Sequence, residues 1–377
     1  MYRIILHVNI FYIFDGQEGA VQVSIKDFLK LISTSPGVSG HEEVVARIIA
    51  DEFSRYVHEI RQDSLGNVLA LKRGQGEDGA EPVKIMVAAH MDEIGLMVSK
   101  IEKGGFLRIS PLGGIDPRSL LNQEVVVHGD KESLPGVIGA KSPHILEPEE
   151  IEKGVKIDKL FIDVGFSEEE VKKRVAVGDP VTISRDFIEL SGSHVAGKAL
   201  DDRAGVALLL KYLQELQYLN HRADVYAVAT VQEEVGVRGA VVSAYGTAPH
   251  LGIAVDVTHG NMPGVAEYKT SELEKGAVIT TGPNIHPLIY KKLVEIAREY
   301  NIPYQEDITP GATGTDARAF QVSREGVATG LISIPLRYMH TSVELLSLKD
   351  IHASAQLMAR FTASLNRDFC EELITCY

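Results

Sequence analysis

The chain has 377 residues, 45% hydrophobic and 24% charged, with 38 Lys and Arg against 52 Asp and Glu, a net charge of −14. That length allows more than one domain, and the composition is globular rather than disordered. The acid excess and the lack of basic clusters argue against a nucleic-acid or membrane partner.

Residues 1–14, MYRIILHVNIFYIF, are apolar, but Asp15 and Glu18 end the run before the roughly 20 residues that a bilayer span needs. GQEGA at 16–20 is a weak signal-cleavage site. Residues 1–22 are therefore set apart as an N-terminal extension: an extra strand, an arm or an upstream mis-assigned start. Next, 41–57 places Val44, Val45, Ile48, Ile49 and Phe53 at helical spacing, with Ser39-Gly40 as its start and Glu42 and Glu43 in its first turn. KIMVAA at 84–89 is a short apolar run that predicts a buried strand. From 96 to 186 the pattern changes. Short apolar runs at 124–129, 136–140, 160–165 and 179–184 are punctuated by Gly, Pro and Asp, which predicts a small, mostly β insertion. Strand patterns then return at 224–232, 251–257 and 326–334. Helical patterns accompany them at 202–217, 287–300 and 348–365. This alternation predicts an α/β sheet, mostly parallel and covered on both faces.

Cys370 and Cys376 are the only cysteines, and both lie in the last eight residues. The lack of a CxxC pair argues against a thiolate zinc site, the count excludes a disulfide framework, and the usage suits a reducing cytoplasm. The informative residues are histidines and acids. His90 ends KIMVAAH, Glu233 and Glu234 end VYAVATVQEE, and Asp256 ends LGIAVD. His340 follows GLISIPLRYMH, and Asp201 precedes a helix in GKALDDRAG. In open α/β sheets ligands bind beyond the carboxyl ends of the strands. A charge at the end of a buried strand is costly unless it is paired or coordinated. Two imidazoles with several carboxylates suit zinc or cobalt. If one Asp bridges two ions, each also takes one His and one carboxylate. Such a pair activates a water and polarises a carbonyl. One carboxylate of Glu233-Glu234 is left over as general base.

Seven ordered segments carry a resemblance: SPGVSGHEE at 35–43, AAHMDEIGLMV at 88–98, GVIGAKSPH at 136–144, GKALDDRAG at 197–205, VQEEVGVRGA at 231–240, AVDVTHG at 254–260 and SIPLRYMHTSVE at 333–344. They resemble the M42 metallo-aminopeptidases, from about Ile25 to about Leu365. The resemblance implies a three-layer α/β/α catalytic domain formed by 23–95 and 187–377. It also implies a small inserted β domain, barrel or PDZ-like, at 96–186 that mediates dimerisation. In similar enzymes the matching positions make His90, Asp201, Glu234, Asp256 and His340 metal ligands, with Asp201 bridging. Glu233 matches the general base, and Asp92 looks like the carboxylate that orients His90. A cis peptide after the bridging Asp is often found, here at Asp201-Asp202. GATGTDAR at 311–318 departs from the usual glycine run, which leaves Thr315 and Asp316 as substrate-binding residues and bears on side-chain preference. The resemblance implies two divalent metals, zinc foremost and cobalt next, oligopeptide substrates, and dimers that build a hollow tetrahedral dodecamer in the cytoplasm.

Asp202 suits a structural or capping residue, His144 and His259 suit hydrogen-bonding roles, and Asp163 and Asp179 suit turns. Alternative functions are a two-metal carboxypeptidase or deacylase, an endoglucanase, and a non-catalytic metal-binding assembly protein. A glycosidase has no use for histidine ligands, and an inert assembly protein would be expected to lack a ligand or the base.

Overall fold

The computed structural model describes residues 22–76, 81–145 and 154–375. Apart from Gln22, the N-terminal extension lies outside the described residues, as does Cys376. The first elements are α1 (Ile25–Thr34), α2 (Glu43–Phe53), β1 (Glu59–Gln62), β2 (Val68–Lys72) and β3 (Lys84–His90). Six strands follow: β4 (Gly95–Ile101), β5 (Leu107–Leu112), β6 (Glu124–His128), β7 (Ser133–Gly139), β8 (Phe161–Asp163) and, after the single turn α3 (Glu168–Val171), β9 (Pro180–Ile183). They close into a barrel in the order β4-β5-β8-β7-β6-β9. Their alternating inward residues, among them Leu96, Val98, Val125, Val127, Ile138 and Ile162, fill its interior. Asp163 and Asp179 cap turns here, accepting from the backbone N–H groups of Gly165 and Ala176.

The chain then returns to the α/β layer with β10 (Ile188–Glu189), β11 (His194–Gly197), α4 (Leu200–Glu215), β12 (Asp224–Thr230), α5 (Arg238–Thr247) and β13 (Leu251–His259). It ends with β14 (Ala277–Thr281), α6 (Pro287–Glu299), β15 (Tyr304–Ile308), α7 (Ala317–Gln321), β16 (Ala328–Arg337), β17 (Glu344–Ser347), α8 (Leu348–Ser364) and α9 (Arg367–Thr375). The fold class is therefore α/β with a small β barrel. The sheet has eleven strands, in the order β1-β2-β12-β3-β13-β16-β17-β11-β10, with β14 and β15 branching from β16. β12, β3, β13 and β16 are parallel neighbours, buried on both faces and nearly all apolar. α4 carries the sequence AGVALLL, is buried on nearly all sides, and packs between the sheet, α1 and α8.

Two expectations change. The sheet is mixed rather than mostly parallel, because β1, β2, β17, β11 and β10 join the flanks antiparallel. β1 with β2, β10 with β11 and β16 with β17 are neighbours joined by local reversals, whereas β2 meets β12 and β11 meets β17 from far apart in the chain. The helix expected at 41–57 spans only 43–53. In it Val45, Ile49 and Phe53 face the core while Val44 is 47% exposed. α1 was legible but unread, since Ile25, Phe28, Leu29 and Ile32 mark one helical face and all are buried.

Candidate active site

The carboxyl ends of the parallel strands converge on one acidic cluster. His90 is the last residue of β3, Asp256 lies near the end of β13, and Glu233 and Glu234 follow β12. Asp201 sits in the first turn of α4, after Ala199 in a left-handed conformation (φ 56°), and the Asp201-Asp202 peptide is cis. His340, between β16 and β17, also has a positive φ of 61°. Left-handed backbone at non-glycine residues is costly and tends to gather where function fixes it.

Asp201 is the centre. Its Oδ1 lies 3.1 Å from His90 Nε2, and its Oδ2 lies 3.3 Å from His340 Nε2. Glu234 Oε1 is 3.3 Å from the same His340 nitrogen. His90, Asp201 and Glu234 bring ligand atoms within 4.8 Å of one another, and so do His90, Asp202 and Asp256. Each imidazole is pinned through its other nitrogen. His90 Nδ1 donates to the Asp92 carbonyl at 3.1 Å, and His340 Nδ1 donates to the Gly114 carbonyl at 2.9 Å. Each Nε2 is thereby aimed into the cluster, where it would be free to bind a cation once its proton is displaced. Gly114 belongs to the loop after β5, and a Cβ there would come within 2.9 Å of His340 Nδ1.

Asp92 does more than orient His90, whose Nδ1 is 3.5 Å from Asp92 Oδ1. Its two oxygens accept from the backbone N–H groups of Glu233 (3.0 Å) and Glu234 (3.2 Å), and from Ser39 Oγ (2.6 Å). A single buried carboxylate thus fixes both His90 and the turn that carries Glu233 and Glu234. Glu344, which sequence reasoning missed, does the same on the far side. It accepts from the N–H of Asp201 at 3.0 Å and from that of His340 at 3.1 Å. An acid four residues after His340 was the only signal for it. Beneath the cluster, Glu93 pairs with Lys198 at 2.6 Å and with Arg203 at 3.3 Å, tying the loop after β3 to the start of α4.

The electrostatics are those of an acid cluster short of cations. Burial opposes charge on His90, but its bonds to Asp201 and Asp92 push its pKa well above the usual value. Hydrogen bonds with Asp201 and Glu234 push His340 up to about 11. Burial works against ionisation of Asp201, yet the two imidazoles hold it below the usual carboxylate range. Burial pushes Glu233 up to about 8, opposed by His90 and reinforced by Asp316, Glu234 and Asp92. Glu234, Asp256 and Asp202 are likewise raised, by burial first. One oxygen of Asp202 caps Gly205 N–H at 3.0 Å, whereas its Oδ2 is buried without a partner. Two imidazoles whose Nε2 protons a cation would replace, carboxylates whose repulsion needs offsetting and an orphaned oxygen together fit a pair of divalent cations.

A cleft of about 490 Å³ opens over the cluster, lined by His90, Asp201, Glu233, Glu234, Asp256 and His340. Thr315 lines it too. Asp316 does not: its carboxylate is buried behind the wall and accepts from Thr230 Oγ1 at 2.6 Å, so it supports the wall instead. Of the two histidines given hydrogen-bonding roles, His259 lines the cleft at the end of β13, whereas His144 is exposed and does not line it.

The sequence profile of a family described as M42 glutamyl aminopeptidase matches residues 66–357. A lysyl aminopeptidase of Pyrococcus furiosus is 40% identical over 336 residues, covering 88% of this chain and 94% of that protein. An aminopeptidase from the archaeon Desulfurococcus kamchatkensis superposes with a TM-score of 0.85 at 39% identity, over 93% of this chain and 97% of the other. The TET1 peptidase of Pyrococcus horikoshii, which can assemble into a tetrahedron or a large octahedral shell, has a TM-score of 0.79 at 33% identity, over 91% and 100%.

Proposed function

Because the chain belongs to the M42 peptidase family and is an aminopeptidase, we propose that it removes N-terminal residues from oligopeptides with two divalent cations and Glu233 as general base. One observation carries this reading: both imidazole Nε2 atoms converge on opposite oxygens of Asp201. His90, Asp201 and Asp256 would hold one ion, and Asp201, Glu234 and His340 the other. Zinc suits this nitrogen and oxygen set, and cobalt is the next choice. When bound, the ions supply a nucleophile from water at neutral pH and polarise the scissile carbonyl.

The protein's own groups do the rest. Asp92 and Glu344 hold the ligands through their backbones, so the geometry stands before substrate arrives. Glu233 lines the cleft without being needed as a ligand. Its carboxylate takes the proton of the attacking water and returns it to the leaving amine. Burial and its acidic neighbours raise its proton affinity toward the range such a base needs. The free α-amine of the substrate would sit among the carboxylates at the ion pair. Thr315 and the neighbouring cleft wall would take the side chain.

The same reading divides the chain into a catalytic part, 23–95 and 187–377, and an inserted barrel, 96–186, used for dimerisation. TET1 peptidase can assemble into a tetrahedron or a large octahedral shell, which supports self-association of this chain into a comparable hollow assembly. Among the described residues no helix is long and apolar enough to cross a membrane, and a cytoplasmic setting is proposed with the rest.

The test is a panel of free-amine aminoacyl anilides beside N-blocked peptides and carboxymethylcellulose, each with zinc, cobalt or chelator. Cleavage of free-amine substrates alone, abolished by chelator and restored by metal, is expected. Cleavage only of N-blocked peptides or of the polysaccharide would overturn the reading.

A further inference from the structure

The ligands and the base occupy one end of the cleft. The sheet register shows how the cleft continues. β13 pairs with β16 so that Asp256 lies beside Ser333 and Ala254 beside Leu331. β16 runs antiparallel to β14, with Ser333 opposite Val278 and Ile332 opposite Ile279, and the same register sets Leu331 opposite Thr280. Thr280 pairs in turn with Asp307 on β15. Paired residues share a face of a sheet, as do residues two apart on a strand. Asp256, Ser333, Leu331, Thr280 and Asp307 therefore project from one face, and all five line the cleft.

This row is a floor running from the ion cluster across three strand spacings, roughly 14 Å from backbone to backbone. Asp307 stands at its far end. It is half-buried and takes no part in the ligand set. Its Oδ2 accepts from Thr309 Oγ1 at 3.2 Å, and its Oδ1 has no partner among the described residues. Among the described residues the only arginine or lysine on the cleft wall is Arg318, which is exposed to solvent in the first turn of α7. A half-buried carboxylate acts through less water than an exposed guanidinium, so it discriminates charge more strongly.

We propose that Asp307 closes the pocket for the side chain of the substrate's first residue and selects a long cationic one, lysine or arginine. The inference rests on the aminopeptidase reading of the site. The methylene stem of such a side chain lies along Leu331 and Thr280, and its charged end reaches the free oxygen of Asp307. An N-terminal glutamate at this position would face Asp307 with like charge.

The test compares lysyl, arginyl, leucyl and glutamyl p-nitroanilides on the metal-loaded enzyme. The expected order places lysyl and arginyl first and glutamyl last. Asp307→Asn should lower the lysyl-to-leucyl ratio of kcat/KM by roughly ten- to a hundred-fold, the worth of a hydrogen bond to a charged group, chiefly through KM. Asp307→Glu should keep the basic preference. The ratio is read within one preparation, so a fraction of unfolded variant cancels. A glutamyl preference, or a ratio that Asp307→Asn leaves in place, overturns the pocket assignment alone. Failure to cleave any of the four anilides overturns the aminopeptidase reading with it.

Discussion

The barrel and the carboxyl edge of the main sheet are both well buried, yet they are built on opposite principles. Between Gly95 and Ile183 the described interior is apolar, from Leu96 to Ile183, and its one buried polar residue is Thr182, which bonds to His128 at 2.9 Å. At the sheet edge Asp92, Glu93, Asp201, Asp202, Asp256, Asp316 and Glu344 are all buried within a few residues of one another or in contact. The barrel is stabilised by removing apolar surface from water. The edge bears desolvated charge that protein groups only partly offset. Treatments that act on charge should therefore separate the two regions.

The largest separation is expected from Glu233, the proposed general base. Glu233→Gln should lower kcat by about 10²–10⁴-fold, the usual span of general acid–base catalysis. Metal content and melting temperature should stay near those of the parent, as elemental analysis and calorimetry will read. Loss of metal from this variant would make Glu233 a ligand instead. The mirror experiment lies in the barrel. Ile162 is fully buried there, and Ile162→Ala should cost about 2–5 kcal/mol of stability. Denaturant titration measures that loss. Metal content and kcat per folded chain should not change, and a fall in either would show that the barrel interior and the site are coupled.

A smaller effect is expected at Glu344. Glu344→Gln keeps the shape but replaces one accepting oxygen by a donor facing a backbone N–H. Metal affinity should weaken by roughly 10–100-fold, as for other groups that hold ligands in place, measured by competition with a chelating dye. The smallest effect concerns pH in the barrel. Burial lowers the pKa of His128, so the unfolded chain protonates first as the pH drops below about 6.5. The contribution of His128 to stability is then present above that pH and is lost progressively below it. Melting curves of the parent and of His128→Gln should converge as the pH falls from 7.5 to 5. Parallel curves would contradict the shift.

The same contrast explains what could be read from sequence. His90, Asp256 and the Glu233-Glu234 pair were legible because each follows an apolar run that has to be a central strand. The barrel was legible from short apolar runs broken by Gly, Pro and Asp. The parts that escaped depend on distant partners. Glu344 matters only because Asp201, 143 residues earlier, turns its N–H toward it. Asp92 grips the N–H groups of Glu233 and Glu234 across 141 and 142 residues. Gly114 reaches His340 from the barrel side across 226 residues. No local period announces such contacts. The antiparallel flanks escaped for another reason, since strands as short as Ile188–Glu189 carry almost no pattern. Asp316 shows the converse error: a polar residue in a cleft-lining segment can still turn its carboxylate inward to Thr230.

The central claim is that Asp201 sits between two cations. Anomalous X-ray diffraction at the zinc edge, from crystals of the zinc-loaded enzyme, tests it most directly. The account predicts two peaks about 3.5–4 Å apart, one toward His90 and Asp256 and the other toward His340 and Glu234, with Asp201 touching both. A single peak, or two that do not share Asp201, would contradict it.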